Sequence, residues 1–327
     1  MARCHICHSD QTRPIFQSPL ERFTKAMGRS VGVDYHYCDN CSGLLQYPIF
    51  DEAEYQKFYE KVQRSEEVGF RSDQVPERHL RKKRNDTEFK WNQLTLLDVE
   101  SLLPGKRIFE IGPAEGTFLA AFRDRGYTAR GVEPLIPYAN YARDVFKLDV
   151  ENGYFDAEFA AREKADMVIL DNVLEHLLTP GESLRHIRNM ISDNGILYVA
   201  VPCAEVASPT NANIAHITLW TRRALAFLLK CSGFHPLAIV KGRPLGMPAE
   251  WVSISQACLE PRPIETEVPT LFKAPTFVEL STRWNDMLGR YERARARSEK
   301  YGPAYPWLVR LARNVPGARA LARKFNV

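Results

Sequence analysis

Four cysteines near the start of the chain fall into two matched pairs, Cys4-His5-Ile6-Cys7 and Cys38-Asp39-Asn40-Cys41. Each pair has the C-x2-C spacing that lets one knuckle present two thiolates. Two knuckles complete a tetrahedron around Zn2+, whose softness suits sulfur. Cys4, Cys7, Cys38 and Cys41 are therefore the expected metal ligands. Cys203, Cys231 and Cys258 lie singly in apolar contexts and read as packing residues. A second chemical feature is the turn Glu110-Ile111-Gly112-Pro113-Ala114-Glu115-Gly116-Thr117. Glycine at a strand end lets backbone approach a ligand, and a second glycine lets the next helix pack closely. Glu133 follows Gly112 by twenty-one residues, where a carboxylate can accept hydrogen bonds from two ribose hydroxyls. That combination suits either a dinucleotide or an adenosyl ligand.

A third segment, Asp166-Met167-Val168-Ile169-Leu170-Asp171-Asn172-Val173-Leu174-Glu175-His176, separates these options. Together with Glu110-x-Gly112-x-x-x-Gly116 and Gly131-Val132-Glu133-Pro134, it resembles the motif series of class I S-adenosylmethionine-dependent methyltransferases over roughly residues 106–203. One departure is Ala114, which stands at the middle position of the family's usual Gly-x-Gly-x-Gly. The resemblance implies that Glu110 organises the turn and the methionine ammonium. Gly112, Ala114 and Gly116 would cradle methionine and ribose. Glu133, followed by Pro134, would bind the ribose hydroxyls. Tyr154 and Phe155 would flank adenine, and Asp171 and Asn172 would line the methionine side.

Methyl transfer from a sulfonium is an in-line displacement, so the enzyme mainly aligns the reactants, and a hydroxyl acceptor must also lose its proton. His216, in Asn213-Ile214-Ala215-His216, is the first candidate base, and His176 is the second. A histidine is largely neutral at neutral pH and accepts a proton. The whole arrangement, a four-cysteine module joined to such a core, resembles bacterial sugar and surface-glycan methyltransferases. Carbon-methylating members usually carry His-Glu-His where this chain has Ile214-Ala215-His216. The expected reaction is therefore O-methylation of a sugar hydroxyl, with a glycan or nucleotide-linked sugar as substrate. The alternatives are C-methylation of a keto-deoxysugar nucleotide, a zinc-ribbon RNA methyltransferase and a non-catalytic cofactor-binding scaffold. Nucleic acid is disfavoured because no basic-aromatic stripe is evident.

These residues require an α/β framework. From residue 106 onward apolar strands alternate with amphipathic helices, in the order Lys106–Ile111, Thr117–Arg125, Ala129–Val132, Tyr138–Phe146, Met167–Leu170, Gly181–Ile191, Ile196–Val201 and Thr221–Ser232. Such alternation predicts a Rossmann-like parallel sheet with helices on both faces and ligands at the strands' carboxyl ends. The domain reading is a zinc module at 1–50, a helical connector at 51–103, the cofactor-binding core at 104–260 and a helical, basic C-terminal extension at 261–327. In the connector, Tyr55, Phe58 and Tyr59 share a helical face suited to docking the module. The run Arg78, Arg81, Lys82, Lys83, Arg84 reads as a solvated face.

The 327 residues are enough to bury a core without disulfides. From Arg290 to the end there are ten Lys/Arg against two Glu. That net +8 leaves the remainder at −4 within an overall +4. Trp307, Leu308, Leu311, Leu321 and Phe325 are interleaved with this charge. The tail is thus expected either to pack on the core or to touch an anionic membrane surface. No apolar run is long enough to span a bilayer, and the N-terminus lacks a secretory pattern, so a cytoplasmic location is expected, peripheral at the inner membrane face only if the tail meets the membrane rather than the core.

Overall fold

The computed structural model describes residues 3–17, 33–57, 77–206, 215–242, 250–258 and 276–301. The chain begins with three short strands, β1 (Thr12–Gln17), β2 (Asp34–Cys38) and β3 (Leu44–Tyr47). A short helical segment at 52–57 follows. Two helices, α1 (Glu77–Leu96) and α2 (Val99–Leu102), lead into β4 (Arg107–Ile111). Alternation then holds through α3 (Thr117–Arg123), β5 (Thr128–Glu133), α4 (Ile136–Asp144), β6 (Asp149–Asn152), α5 (Ala157–Arg162) and β7 (Ala165–Asp171). It continues through α6 (Pro180–Met190), β8 (Ile191–Pro202), the two-residue β9 (Thr218–Leu219) and α7 (Arg222–Cys231). The hairpin strands β10 (Phe234–Gly242) and β11 (Glu250–Ala257) and the long helix α8 (Phe277–Tyr301) complete the described chain.

The central sheet has the order β10-β11-β8-β7-β4-β5-β6. Its five strands from β8 to β6 are parallel, and β11 and β10 are antiparallel. This is the expected Rossmann-like α/β sheet, with an antiparallel hairpin on one edge that the sequence reading did not include. Counted along the chain within this sheet, the order is 3-2-1-4-5-7-6. The order in which successive strands are added therefore reverses between the parallel neighbours β4 and β7. The crevice at the carboxyl ends of those two strands is where such sheets bind ligands.

Alternation along each inner strand feeds two cores. Phe109, Ile111, Val168, Leu170, Leu197, Val199 and Val201 face α5, α6 and α7. Ile108, Met167, Ile169, Ile196, Tyr198 and Ala200 face α1 and α3. Burial on both faces explains why these strands read as continuous apolar runs rather than alternating ones.

The N-terminal strands pair as β1-β2-β3-β9, so a strand from beyond the central sheet's β8 closes the sheet of the cysteine module. Cys4, Ile6, Cys38, Cys41 and Leu45 share the core of α6 and α7. On the module's other side, Phe16 stacks on Trp284 of α8 at 4.3 Å, and Tyr35, Tyr55, Ile217 and Leu219 join the same cluster. Tyr55 is buried as its helical face predicted, whereas Phe58 and Tyr59 lie outside the described residues. The tail residues Trp307, Leu308, Leu311, Leu321 and Phe325 also lie outside them. Among the described residues, no helix is long and apolar enough to cross a membrane.

Candidate active site and metal centre

The turn after β4 is shaped by backbone conformations that side chains disfavour. Gly112 has φ +70° and Gly116 has φ +87°. A Cβ on Gly112 would stand 2.9 Å from a Val173 methyl, and one on Gly116 would stand 2.6 Å from Leu148. These contacts press the turn against the segment after β7 and bring the start of α3 against Ala142 of α4 and Leu148 just before β6. Ala114, at φ 48°, holds a left-handed conformation with a methyl attached.

Glu133 ends β5 and is 4% exposed. Its Oε2 accepts from the Ala114 amide at 2.9 Å and its Oε1 from the Leu135 amide at 2.8 Å. Burial pushes this carboxyl up to about 7, against the pull of those two donors. The carboxylate thus ties the end of β5 to the turn after β4. Each oxygen keeps a lone-pair direction for a further donor, as a ribose-binding acid requires. The Pro134 carbonyl accepts from Asn152 Nδ2 at 3.1 Å, which shapes the start of the next loop. Phe155 is half-buried near Phe159, while Tyr154 is 58% exposed. Tyr154 therefore offers a face from the surface rather than from the core.

Glu110 is 2% exposed. Burial, reinforced by the Asp171 charge, pushes its carboxyl up to about 8, with Lys90 acting in the opposite direction. Asp171 accepts from Lys90 Nζ and from Asn172 Nδ2. Asn172 has φ 57°, a conformation asparagine tolerates, and its amide donates to the Ala200 carbonyl at 2.9 Å.

Lys90 was not among the residues anticipated from sequence. It is 4% exposed, sits on α1 and also pairs with Asp86 at 2.8 Å. Burial disfavours its charge, but Asp171, Asp86 and Glu250 outweigh that and hold it protonated. Glu115 was missed as well. It is 1% exposed and faces His79 at 3.3 Å and Lys83 at 3.7 Å, both from α1. Burial raises its carboxyl, but the hydrogen bond from His79 and the charge of Lys83 reverse the shift, and its pKa lies below the ordinary value. Helix α1 is thus a charged wall over the ligand turn. One member of the basic run, Lys83, points at the turn, while Arg81, Lys82 and Arg84 remain on the solvated face.

Beyond Asn172 the chain forms a 3-10 turn at Leu174–His176. His176 Nδ1 lies 2.7 Å from the Ala215 carbonyl. A carbonyl only accepts, so Nδ1 carries the proton and Nε2 is the lone-pair nitrogen of the neutral ring. Burial lowers this imidazole to about 4, against the carbonyl contact. His216 meets it in a T-shaped contact with ring centroids 4.9 Å apart. A ligand atom of buried Glu175 and one from each imidazole all lie within 4.8 Å of one another. The two histidines named from sequence are therefore brought together, and a carboxylate joins them.

At the module, Cys4 and Cys41 sulfurs are 3.7 Å apart and those of Cys7 and Cys38 are 3.6 Å apart. All four sulfur atoms lie within 4.8 Å of one another. Zn–S bonds of about 2.3 Å imply edges of roughly 3.8 Å in a tetrahedron. The donor set fits such an ion, and the separations are far too long for disulfides. Cys203 is buried, and Cys231 and Cys258 are half-buried, as packing residues are.

Residues 83–239 match the family described as the methyltransferase domain. No curated protein matches the chain. Among solved structures, magnesium protoporphyrin IX methyltransferase from Synechocystis with bound SAH is 13% identical. That comparison covers 63% of this chain and 100% of the other, with a TM-score of 0.45. A SAM-dependent methyltransferase from Methanosarcina mazei is also 13% identical, covering 50% of this chain and 97% of the other at 0.41. Mitomycin 7-O-methyltransferase is 22% identical, covering 46% of this chain and 48% of its own at 0.39.

Proposed function

We propose that this S-adenosylmethionine-dependent methyltransferase methylates a sugar hydroxyl, in a sugar nucleotide or a surface glycan, and that its four-cysteine module holds a structural Zn2+. The observation that carries the reading is the His176–His216 pair, which follows the Asp171-Asn172 end of β7. The cofactor brings a methyl group already activated on a sulfonium. What remains for the protein is to hold an acceptor in line and to take its proton.

In this reading Glu110, Gly112, Ala114 and Gly116 hold the methionine and ribose, and Glu133 binds the ribose hydroxyls. Pro134 and Phe155 lie toward adenine with Tyr154 at the surface, and Asp171, fixed by Lys90, and Asn172 line the methionine side. His216 takes the proton from the acceptor hydroxyl. His176 stays neutral beside it, because burial makes its protonation costly. Cys4, Cys7, Cys38 and Cys41 would hold zinc through thiolates, where it supplies rigidity rather than redox chemistry.

A second reading, C-methylation next to a keto group, is favoured by one observation. The family's His-Glu-His lacks its Glu here in sequence, yet Glu175 comes within 4.8 Å of both imidazoles in space. The deciding experiment incubates the protein with methyl-labelled S-adenosylmethionine and, separately, hydroxylated sugar nucleotides, keto-deoxysugar nucleotides and total RNA. Label on oxygen of a sugar nucleotide supports the first reading. Label on carbon, preceded by solvent deuterium exchange at that carbon, supports the second. Label in RNA alone removes both.

A further inference from the structure

The segment Ala215–Leu219 is held from two sides at once. On the catalytic side, the Ile217 amide donates to the Glu175 carbonyl at 2.8 Å and His176 Nδ1 donates to the Ala215 carbonyl at 2.7 Å. On the opposite side, the hydrogen bonds and the strand pairing come from the cysteine module. Tyr35 Oη, on β2, donates to the His216 carbonyl at 2.8 Å. The Gln46 amide donates to the Ile217 carbonyl at 2.9 Å. His5, between the ligands Cys4 and Cys7, lies 2.5 Å from the Thr218 hydroxyl through Nε2. Leu44 and Leu45 of β3 pair with Leu219 and Thr218 of β9. Tyr35 itself is fully buried and stacked on Phe16, so its hydroxyl is aimed by packing and not by solvent.

From this arrangement we infer that the cysteine module is the anchor of the acceptor-side segment, with Tyr35 acting as a positioning residue for His216. This rests on the reading of His216 as the proton acceptor. The physical reason is geometric. Proton transfer needs heavy atoms within hydrogen-bond reach, and misplacement by about 1 Å can cost roughly 100-fold in rate. A short segment bonded to β7's end on one side only could tilt away from it. The second set of bonds, from the sheet that carries the four cysteines, removes that freedom. The module therefore acts on the chemistry without supplying a reacting group.

The test uses the full chain and reads amide hydrogen exchange by mass spectrometry, a measurement that needs no acceptor. Removing zinc with a chelator should raise exchange in 215–220 at least tenfold while peptides from β7 stay protected. Tyr35→Phe keeps the ring stacking and removes only the hydroxyl. It should raise exchange at 215–220 with zinc content unchanged, and should move the His216 ring signals in histidine-labelled NMR spectra, assigned through their loss in His216→Ala. Wild-type exchange in 215–220 after Tyr35→Phe, with unmoved His216 signals, overturns the inference even if chelation unfolds the module. If His216→Ala keeps full methyl transfer, the base assignment falls, and the exchange data still decide whether the module anchors the segment.

Discussion

The imidazole rings of His176 and His216 stand T-shaped at 65° with their centroids 4.9 Å apart, although forty residues separate them in the chain. One ring is fixed in tautomer by the Ala215 carbonyl, and the other hangs from a segment braced by Tyr35. Replacing His216 by Ala should lower turnover about 100-fold or more and leave cofactor affinity intact, as loss of a general base does. Near-normal turnover at neutral pH would make His216 structural and pass the role to His176, tested next.

Acid should destabilise the fold through His176. The unfolded chain takes up this proton near pH 6.5, about the ordinary value, whereas the folded chain does so only at about 4. Between those values the unfolded state binds more protons, so stability rises with pH. The contribution is complete above about pH 6.5 and lost as pH falls toward 4, amounting to at most about 3 kcal/mol. Glu110 and Glu133 run the other way, because their raised carboxyls contribute below about pH 4.5 and lose that contribution as pH rises through about 8 and 7 respectively. Urea melts of wild type and His176→Gln at acid and neutral pH isolate the histidine. Parallel pH slopes in the two proteins would refute the assignment.

Glu133→Ala should weaken binding of S-adenosylhomocysteine by roughly 1.5–3 kcal/mol, the range for lost hydrogen bonds to a charged group. It also frees the Ala114 amide, so Glu133→Gln, which keeps one acceptor oxygen, should lose less. Calorimetry giving the same affinity for all three proteins would show that this acid does not face the ligand.

Cofactor binding should release a proton. Glu110 titrates at about 8, so it is mostly protonated at neutral pH. A ligand ammonium nearby favours the carboxylate and lowers that value. Affinity for S-adenosylhomocysteine should then increase with pH up to about 8, and binding enthalpies near neutral pH should differ between phosphate and Tris buffers. Glu110→Gln should remove both effects. Buffer-independent enthalpies in the wild type would exclude the coupling.

Purified protein should contain about one Zn2+ per chain, and Cys38→Ser should release it. Acidification should do the same as the thiolates protonate. Elemental analysis that finds no zinc in protein prepared without chelator would end the proposal.

Much of this molecule is carried by local pattern. The inner strands β4, β7 and β8 are apolar on both faces, so each is legible as a run without reference to any partner. The C-x2-C pairs and the Gly112–Gly116 turn are legible too, since their geometry depends on residues a few positions apart. Strand β6 was not, because only Val150 of its four residues is buried, and one apolar residue leaves no period to detect. The antiparallel hairpin of β10 and β11 escaped a reading built on alternating strands and helices.

What sequence alone determined about this protein is therefore which residue types stand at the ends of which strands, and that two thiol pairs are available to one metal. Only the tertiary structure decided that Lys90 reaches Asp171 across 81 positions, that Lys83 faces Glu115, and that Glu175 joins both histidines. It also decided that β9 leaves the catalytic domain's order to pair with β3 of the module. Local propensity extends over one turn of helix or one strand. These contacts depend instead on where the sheet's twist and the packing of α1 and the module bring distant segments, and a charged side chain on an amphipathic helix looks the same whether it meets water or a buried carboxylate.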